Sequence, residues 1–327
     1  MGSDLGWRCV ITTHNGDGQP IFASDDSLRE LEMEATTRLG RILALPAPAM
    51  SADDGVSDAI GVATGPGSLT VDALVVWPAD EGLVPLEVGP PESFEAYIAV
   101  QGHLHVVVGP NEAVLHPGDV FIPRGRTYGL QTSASEETRL VRVRAVVDPG
   151  ADVAVSTAIR SSSGPARRVR RVVAGTDATG RPGIVQDGDP AVMFVMGDES
   201  DPDVALVDVW ELGGLVRSAE QGGDTSDPWE LEPRVSGMKI LNLELKSVDG
   251  PPNEGGWHAT ATIDVDIVID GTVEMYLPDL PPVTLQPGDV LLQRGTDHLW
   301  RVIDDRSLRM VTVMVGVQAG PSPAATS

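Results

Sequence analysis

Short apolar runs, each about as long as a strand, recur along the whole chain and are cut apart by glycine, proline and acidic residues. Thr70 to Trp77, Tyr97 to Val100, Leu104 to Val108 and Val204 to Trp210 alternate apolar and polar positions or are apolar throughout. Lys239 to Leu245, Ile263 to Ile269 and Met310 to Val315 do the same. Their length and β-branched content predict closely spaced strands, as in a sandwich or barrel. Two stretches predict helix. In Ser27 to Leu45, the residues Leu28, Leu31, Met33, Leu39 and Ile42 sit at rough helical spacing behind the cap candidates Asp25-Asp26-Ser27. Ala219 to Glu232 is a weaker case, interrupted by Gly222-Gly223 and Pro228. The fold expected is all-β with a few short helices.

The pattern is written twice. Gly102 matches Gly271 at an offset of 169, and Pro117-Gly118-Asp119 matches Pro287-Gly288-Asp289 at 170. Further back, Arg8, Gly18, Pro20 and Asp25 match Arg170, Gly180, Pro182 and Asp187 at 162. Two tandem barrels are therefore expected, one over residues 1–150 and one over 169–318. Residues 151–168, rich in Ala, Ser, Asp and Gly, read as a linker, and 319–327 as a disordered tail.

Composition removes some partners. Forty-eight acidic against 23 basic residues give a net charge of −25. Such a field repels phosphate backbones and anionic lipid, so neither nucleic acid nor membrane is expected as a partner. Arg167-Arg168-Val169-Arg170-Arg171 reads as a solvated strand edge or linker face. Cys9 is the only cysteine, so no intrachain disulfide can form. No apolar run approaches the about 20 residues of a membrane helix, and Met1 to Gly6 lacks the basic start and apolar core of a signal peptide. The expectation is a soluble cytoplasmic protein acting on a small molecule, with a homodimer allowed but not required.

Only the second copy keeps its histidines at the repeated positions. It reads Trp257-His258-Ala259-Thr260-Ala261-Thr262-Ile263-Asp264, then Gly271, then Gly288, then Gln293-Arg294-Gly295-Thr296-Asp297-His298-Leu299-Trp300. Residues two apart on a strand share a face, so this spacing aims His258, Thr260, Thr262 and Asp264 into one cavity. The arrangement resembles the cupin superfamily, whose barrels carry His-x-His…Glu…Gly and then Pro-Gly…Gly-x-x-His. In that family the fold is a small antiparallel jelly roll, so the resemblance implies two tandem cupin (jelly-roll) barrels. It covers about 120 residues of the second half and about 100 of the first.

The resemblance also implies a site. His258, Asp264 and His298 fall on ligand positions and would hold one divalent transition metal (Fe, Mn, Ni or Zn) in the C-terminal barrel. The same residues could instead act without metal, as acid, base and substrate anchor, or His258 and Asp264 could simply satisfy each other. Thr260 stands where a second histidine is usual, and Asp264 where glutamate is usual. Arg294 is a candidate to hold a carboxylate or enolate, its repeat in Arg124 suiting a structural ion pair equally. Thr260, Thr262, Gln293, Trp257 and Trp300 are expected to line the pocket, and Asp266 to reach it. The first copy offers Gly89, Pro91, Glu95 and Tyr128 at its ligand positions, so that barrel is expected to be metal-free. His103-Leu104-His105 follows Gly102 rather than preceding it and is read as facing outward. The cupin resemblance and the weakened ligand set together imply a non-redox lyase, isomerase, cyclase or dehydratase working in the second barrel. A dioxygenase with a two-histidine, one-carboxylate iron site and a non-catalytic metabolite-binding barrel are the alternatives.

Overall fold

The structure is a computed structural model. It describes residues 4–30, 32–33, 37–45, 68–77, 93–123, 129–132, 136–146, 169–176, 181–190, 192–198, 201–212, 230–247 and 254–318. The first half begins with β1 (Asp4–His14), β2 (Pro20–Arg29), β3 (Glu32–Met33), β4 (Thr37–Leu45), β5 (Leu69–Val76) and β6 (Ser93–Gln101). It continues with β7 (Leu104–Val108), β8 (Asn111–Leu115), β9 (Val120–Pro123), β10 (Gly129–Thr132) and β11 (Thr138–Val146). The second half opens with β12 (Arg171–Thr176), β13 (Pro182–Gly188), β14 (Val192–Asp198), β15 (Asp201–Leu212), β16 (Met238–Leu245) and β17 (Thr262–Asp270). It ends with β18 (Val273–Tyr276), β19 (Val283–Leu285), β20 (Val290–Arg294), β21 (Leu299–Val302) and β22 (Leu308–Gly316).

Each half contributes the same series of strands in the same order. One eight-stranded sheet runs β3-β4-β5-β11-β6-β9-β12-β13, and the other β14-β15-β16-β22-β17-β20-β1-β2. A three-stranded sheet faces each, β8-β7-β10 in the first half and β19-β18-β21 in the second. The result is two jelly-roll barrels, each an eight-stranded sheet and a three-stranded one.

The halves exchange their opening hairpins. β1 pairs parallel with β20, Val10 opposite Leu291, and β12 pairs parallel with β9, Val172 opposite Phe121. The sequence repeat at Arg8 and Arg170 is the lock on this exchange. Arg8 donates Nε and Nη2 to the two Asp25 oxygens at 2.7 and 2.8 Å, and Nη1 to Asp289 of the second-half Pro-Gly-Asp turn at 2.8 Å. Arg170 does the same for the first half: Asp187 accepts at 2.5 and 2.6 Å, and Asp119 lies 3.9 Å away. Within each turn the aspartate also accepts a backbone N–H at 3.0 Å, from His116 or Gln286.

Three buried clusters follow from strand parity. Odd positions of β17, from Ile263 to Ile269, join even positions of β6, from Phe94 to Val100, in one core that both large sheets share. Leu104, Val106, Val108 and Phe121 fill the first barrel, and Val268, Val273, Leu291 and Met310 the second. The inward Leu104, Val106 and Val108 leave His103 outward, against Glu136 at 2.6 Å. Gly102 and Gly271 sit at φ +73° and +79°, where a Cβ would meet Glu137 O at 2.7 Å or Ser307 O at 2.9 Å. The tight left-handed turn after β6 and β17 therefore requires glycine.

The structure corrects the helix expectation. Of the described residues from Ser27 to Leu45 all but Glu30 are strand, in β2, β3 and β4. A register shift between Arg41 and Leu43 breaks the alternation of β4, which puts Leu39 in one core and Ile42, Leu43 and Leu45 in another. An added residue in a two-residue period imitates helical spacing. Asp25 caps no helix; it receives Arg8. Residues 219–229 lie outside the described residues, and Glu230 to Glu232 is not helical. Among the described residues the one helical element is the 3₁₀ turn Glu254–Gly256, and no helix is long and apolar enough to cross a membrane. The basic run is corrected too, where it is described. Arg171 is wholly buried, donating to Val209 O at 2.7 Å and lying over the Trp210 ring at 5.7 Å. The linker over 151–168 and the tail over 319–327 lie outside the described residues.

Exchange of hairpins ties the two halves into one unfolding unit. Urea denaturation followed by tryptophan fluorescence and by circular dichroism should give coincident single transitions. Two separated transitions would show that each half is stable without the hairpin of the other.

Candidate functional site

The mouth of the second barrel brings the two histidines together. His258 and His298 form an isolated antiparallel bridge, each backbone N–H donating to the other's carbonyl at 3.0 Å. Their rings lie 4.2 Å apart between centroids. His258 is exposed at the rim and His298 is buried beneath it. Each Nδ1 lies 2.9 Å from a backbone carbonyl, Gly256 O for His258 and Thr296 O for His298. A carbonyl can only accept, so the His258 Nδ1 carries the hydrogen and its Nε2 is left as the basic nitrogen, whereas the His298 Nδ1 faces both a carbonyl and the Gln293 amide nitrogen. Burial, then the neighbouring His258, lowers the His298 pKa to about 4, so this imidazole is neutral near pH 7.

The exchanged hairpin supports this loop. Thr12 of β1 and Thr296 are fully buried, their hydroxyls 3.0 Å apart. A first-half strand thus braces the turn that carries His298.

Below the histidines a polar column descends into the barrel. Gln293 touches His298 Nδ1 through its amide and stands directly across from Asp264 on β17. Asp264 Oδ2 accepts from Thr260 at 3.3 Å, while the Thr262 hydroxyl donates to that of Thr260 at 2.7 Å. The other Asp264 oxygen is buried without a hydrogen-bond partner. One step deeper, the Thr312 hydroxyl donates to Asp266 Oδ1 at 2.7 Å. Burial raises both carboxyls, Asp264 well above the carboxylate range with Asp266 adding to it, and Asp266 to about 7. They therefore hold protons where surface aspartates do not. Apolar Val268, Leu291 and Met310 close the floor.

Beside the column, Lys239 and Asp208 form a buried ion pair at 3.3 Å, with Lys239 also donating to Glu230 O at 2.5 Å. Sequence reading missed this pair. Its signal was a lysine and an aspartate inside otherwise apolar strands, at positions whose face depends on a bulge between Asp208 and Trp210.

The geometry bears on two expected assignments. Arg294 stands across from Ile263, which belongs to the core between the large sheets, so Arg294 faces away from the barrel interior. It is no substrate anchor. Among the described residues no three of His, Cys, Asp and Glu come together as a set that could hold a metal ion. His258 and His298 make a pair, and Asp264 stands below them bonded to Thr260. The expected ligand set of His258, Asp264 and His298 is thus not assembled as three neighbouring ligands in this arrangement. Trp300 packs edge-on to His298 at 5.7 Å and against the barrel core, and half-buried Trp257 precedes His258. In the first barrel Glu95 and Tyr97 do face inward, the Tyr97 hydroxyl donating to Glu95 at 3.3 Å. Gly89, Pro91, Arg124 and Tyr128 lie outside the described residues.

The raised carboxyls give a pH signature. Asp266 stays protonated in the folded protein up to about 7, whereas the unfolded chain ionises near ~3.9. The folded state binds the extra proton between those values, so stability is full below that window and falls as pH rises through it. The slope reaches about 1.4 kcal/mol per pH unit. His298, whose pKa is lowered to about 4, acts oppositely between there and its unfolded value and is common to wild type and variant. Asp266→Asn should therefore be more stable than wild type at pH 8 and lose that advantage at pH 4, measured by urea denaturation at each pH. An equal difference at both would mean that Asp266 is ionised in the folded protein.

No family model matches the chain. It is 43% identical over 69 residues to the phomopsin biosynthesis cluster protein C' of Diaporthe leptostromiformis, which is 21% of this chain and 33% of that protein. The oryzines biosynthesis cluster protein J of Aspergillus oryzae is 41% identical over 58 residues, 17% of this chain and 32% of its own length. The match thus spans about a third of these curated relatives. Among solved structures, a Pseudomonas aeruginosa protein assigned as glyoxylate-induced has a TM-score of 0.49 at 13% identity, over 89% of this chain and 86% of that one. A cupin 2 conserved barrel domain protein from Leptotrichia buccalis has a TM-score of 0.42 at 10% identity, over 87% and 91%.

Proposed function

We propose that the second barrel is the active site of a non-redox enzyme that moves a proton on a small carbonyl- or hydroxyl-bearing metabolite, as a lyase, isomerase, cyclase or dehydratase does. The observation that carries this reading is the His258–His298 ring pair, with the His258 Nε2 basic, above two buried carboxyls whose pKa values burial raises. Base and acid in one apolar-floored cavity are what proton removal beside a carbonyl needs. His258 at the rim takes the proton through Nε2. Neutral His298 accepts a hydrogen bond from the substrate and holds it against the column. Protonated Asp264 donates to the oxygen on which charge develops, its otherwise unpartnered oxygen facing the interior. Lys239 and Asp208 keep the wall polar and fixed. The partial relatives are named for biosynthetic clusters, which suits turnover of a small molecule.

The test is solvent exchange. With pyruvate, 2-oxobutanoate and dihydroxyacetone in D₂O, proton NMR should show deuterium entering the carbon beside the carbonyl faster than in buffer, with no oxygen uptake. Oxygen consumption matched to product would replace this reading with the dioxygenase, and binding of these compounds without exchange or product would replace it with a non-catalytic barrel.

A further inference from the structure

The two seams at which a hairpin enters the opposite half are built alike but filled differently. Arg8 and Arg170 are equivalent, each holding an aspartate of its own hairpin and facing that of the Pro-Gly-Asp turn beside it. Cys9 opposite Val290 and Arg171 opposite Val120 carry the equivalence one residue further. One residue back, Trp7 therefore corresponds to Val169. Across the seam, Arg139 opposite Gln101 corresponds to Arg309 opposite Asp270, each beside a register shift.

At one seam the space is full. Trp7 is completely buried, and the Arg139 guanidinium lies 5.8 Å from the centre of its ring while donating to Gly6 O at 2.8 Å. At the other, Val169 has an isopropyl group where Trp7 has an indole. Arg309 bends onto the Pro117-Gly118 turn, donating Nη2 to Pro117 O at 2.9 Å, and a Cβ on Gly118 would meet its guanidinium at 2.9 Å. A cavity of about 560 Å³ is left, whose lining includes Val169, Ile269, Asp189, Asp270, Arg309 and His116.

The lining fixes the chemistry of an occupant. Val169 and Ile269 form a buried apolar wall. Arg170 is taken up by Asp187 and by Val114 O, and Asp270 by Arg306 at 2.8 Å. Half-buried Asp189 makes no hydrogen bond or ion pair among the described residues. A carboxylate without a partner beside an apolar wall favours a cation that can pair with it, and a guanidinium favours the face of an aromatic ring.

We propose that this seam cavity binds a small aromatic amine. Its ring takes the place beside Val169 and Ile269 that the Trp7 indole takes at the other seam, under the Arg309 guanidinium, and its ammonium pairs with Asp189. The site is separate from the histidine pair, because β17 begins at Thr262 near the histidines and ends at Asp270 in this cavity. The net charge of −25 adds a long-range attraction for a cation.

Isothermal titration of the full chain with tryptamine, at pH 7 and fixed ionic strength, should show saturable binding at one site per chain. Asp189→Asn should weaken tryptamine about 10-fold and leave the weaker binding of neutral indole unchanged. Val169→Trp, which places at this seam the side chain the other seam already holds, should abolish the binding of both. His258→Ala should bind as wild type does. Asp189 is partly exposed, so its variant keeps the test sound if Val169→Trp fails to fold. Absence of saturable tryptamine binding, equal affinity in wild type and Asp189→Asn, undiminished binding in folded Val169→Trp, or loss of binding in His258→Ala would overturn the site. Indole-3-acetate binding more tightly than tryptamine would overturn the ligand class.

Discussion

His298→Ala should slow solvent deuterium exchange by roughly 10²-fold, the scale on which a misplaced substrate loses rate. His298 is buried, and its Nδ1 is held by the Thr296 carbonyl and by Gln293, so no water or added base can take its place. His258→Ala should lose activity on the same scale, but with a difference in rescue. Because His258 is exposed at the rim, imidazole added to the solution should restore part of the His258→Ala rate and none of the His298→Ala rate. His103→Ala, outside the first barrel against Glu136, should exchange at the wild-type rate. Full activity in both His258→Ala and His298→Ala would remove the proposed site, and equal rescue of the two would mean that His298 is reached from solvent.

Asp208→Ala should cost about 3–5 kcal/mol of stability, because it leaves the Lys239 ammonium buried without its counter-charge. Both side chains are almost fully buried, at 1% and 3% exposure, and lie 3.3 Å apart. Replacing the pair together, Asp208→Leu with Lys239→Met, should recover most of the loss, since an apolar pair of similar volume is often as stable as a buried ion pair. Urea denaturation at pH 7 of the two single variants and the double decides it. A double variant as unstable as Asp208→Ala would mean that the cost comes from packing and not from the orphaned charge.

The candidate site was partly legible in the chain. His258, Thr260, Thr262 and Asp264 are spaced by two, and local alternation alone puts them on one face; Gly295 to His298 then returns a histidine after a fixed turn. His258 and His298 meet across the barrel mouth. Arg294 was misplaced because its face depends on its pairing partner. It lies beside Gln293 in the chain, and only its position across from Ile263 shows that it belongs to the core between the sheets. The metal expectation came from residue types, and residue types do not contain the distances that a coordination sphere needs.

Strands, their turns and their duplication were determined by the sequence alone, because alternation, Pro-Gly-Asp turns and left-handed glycines act over a few residues and repeat intact. Gly102 with Gly271, and Arg8 with Arg170, show the same device used twice. The exchange of hairpins, the strand nature of Ser27 to Leu45 and the Lys239–Asp208 pair were decided only by the tertiary structure. Each depends on which strand lies beside which, and on bulges that switch a side chain from one face to the other. In a sheet a shift of one residue reverses every face beyond it, so chain position and barrel interior are linked only through the assembled register.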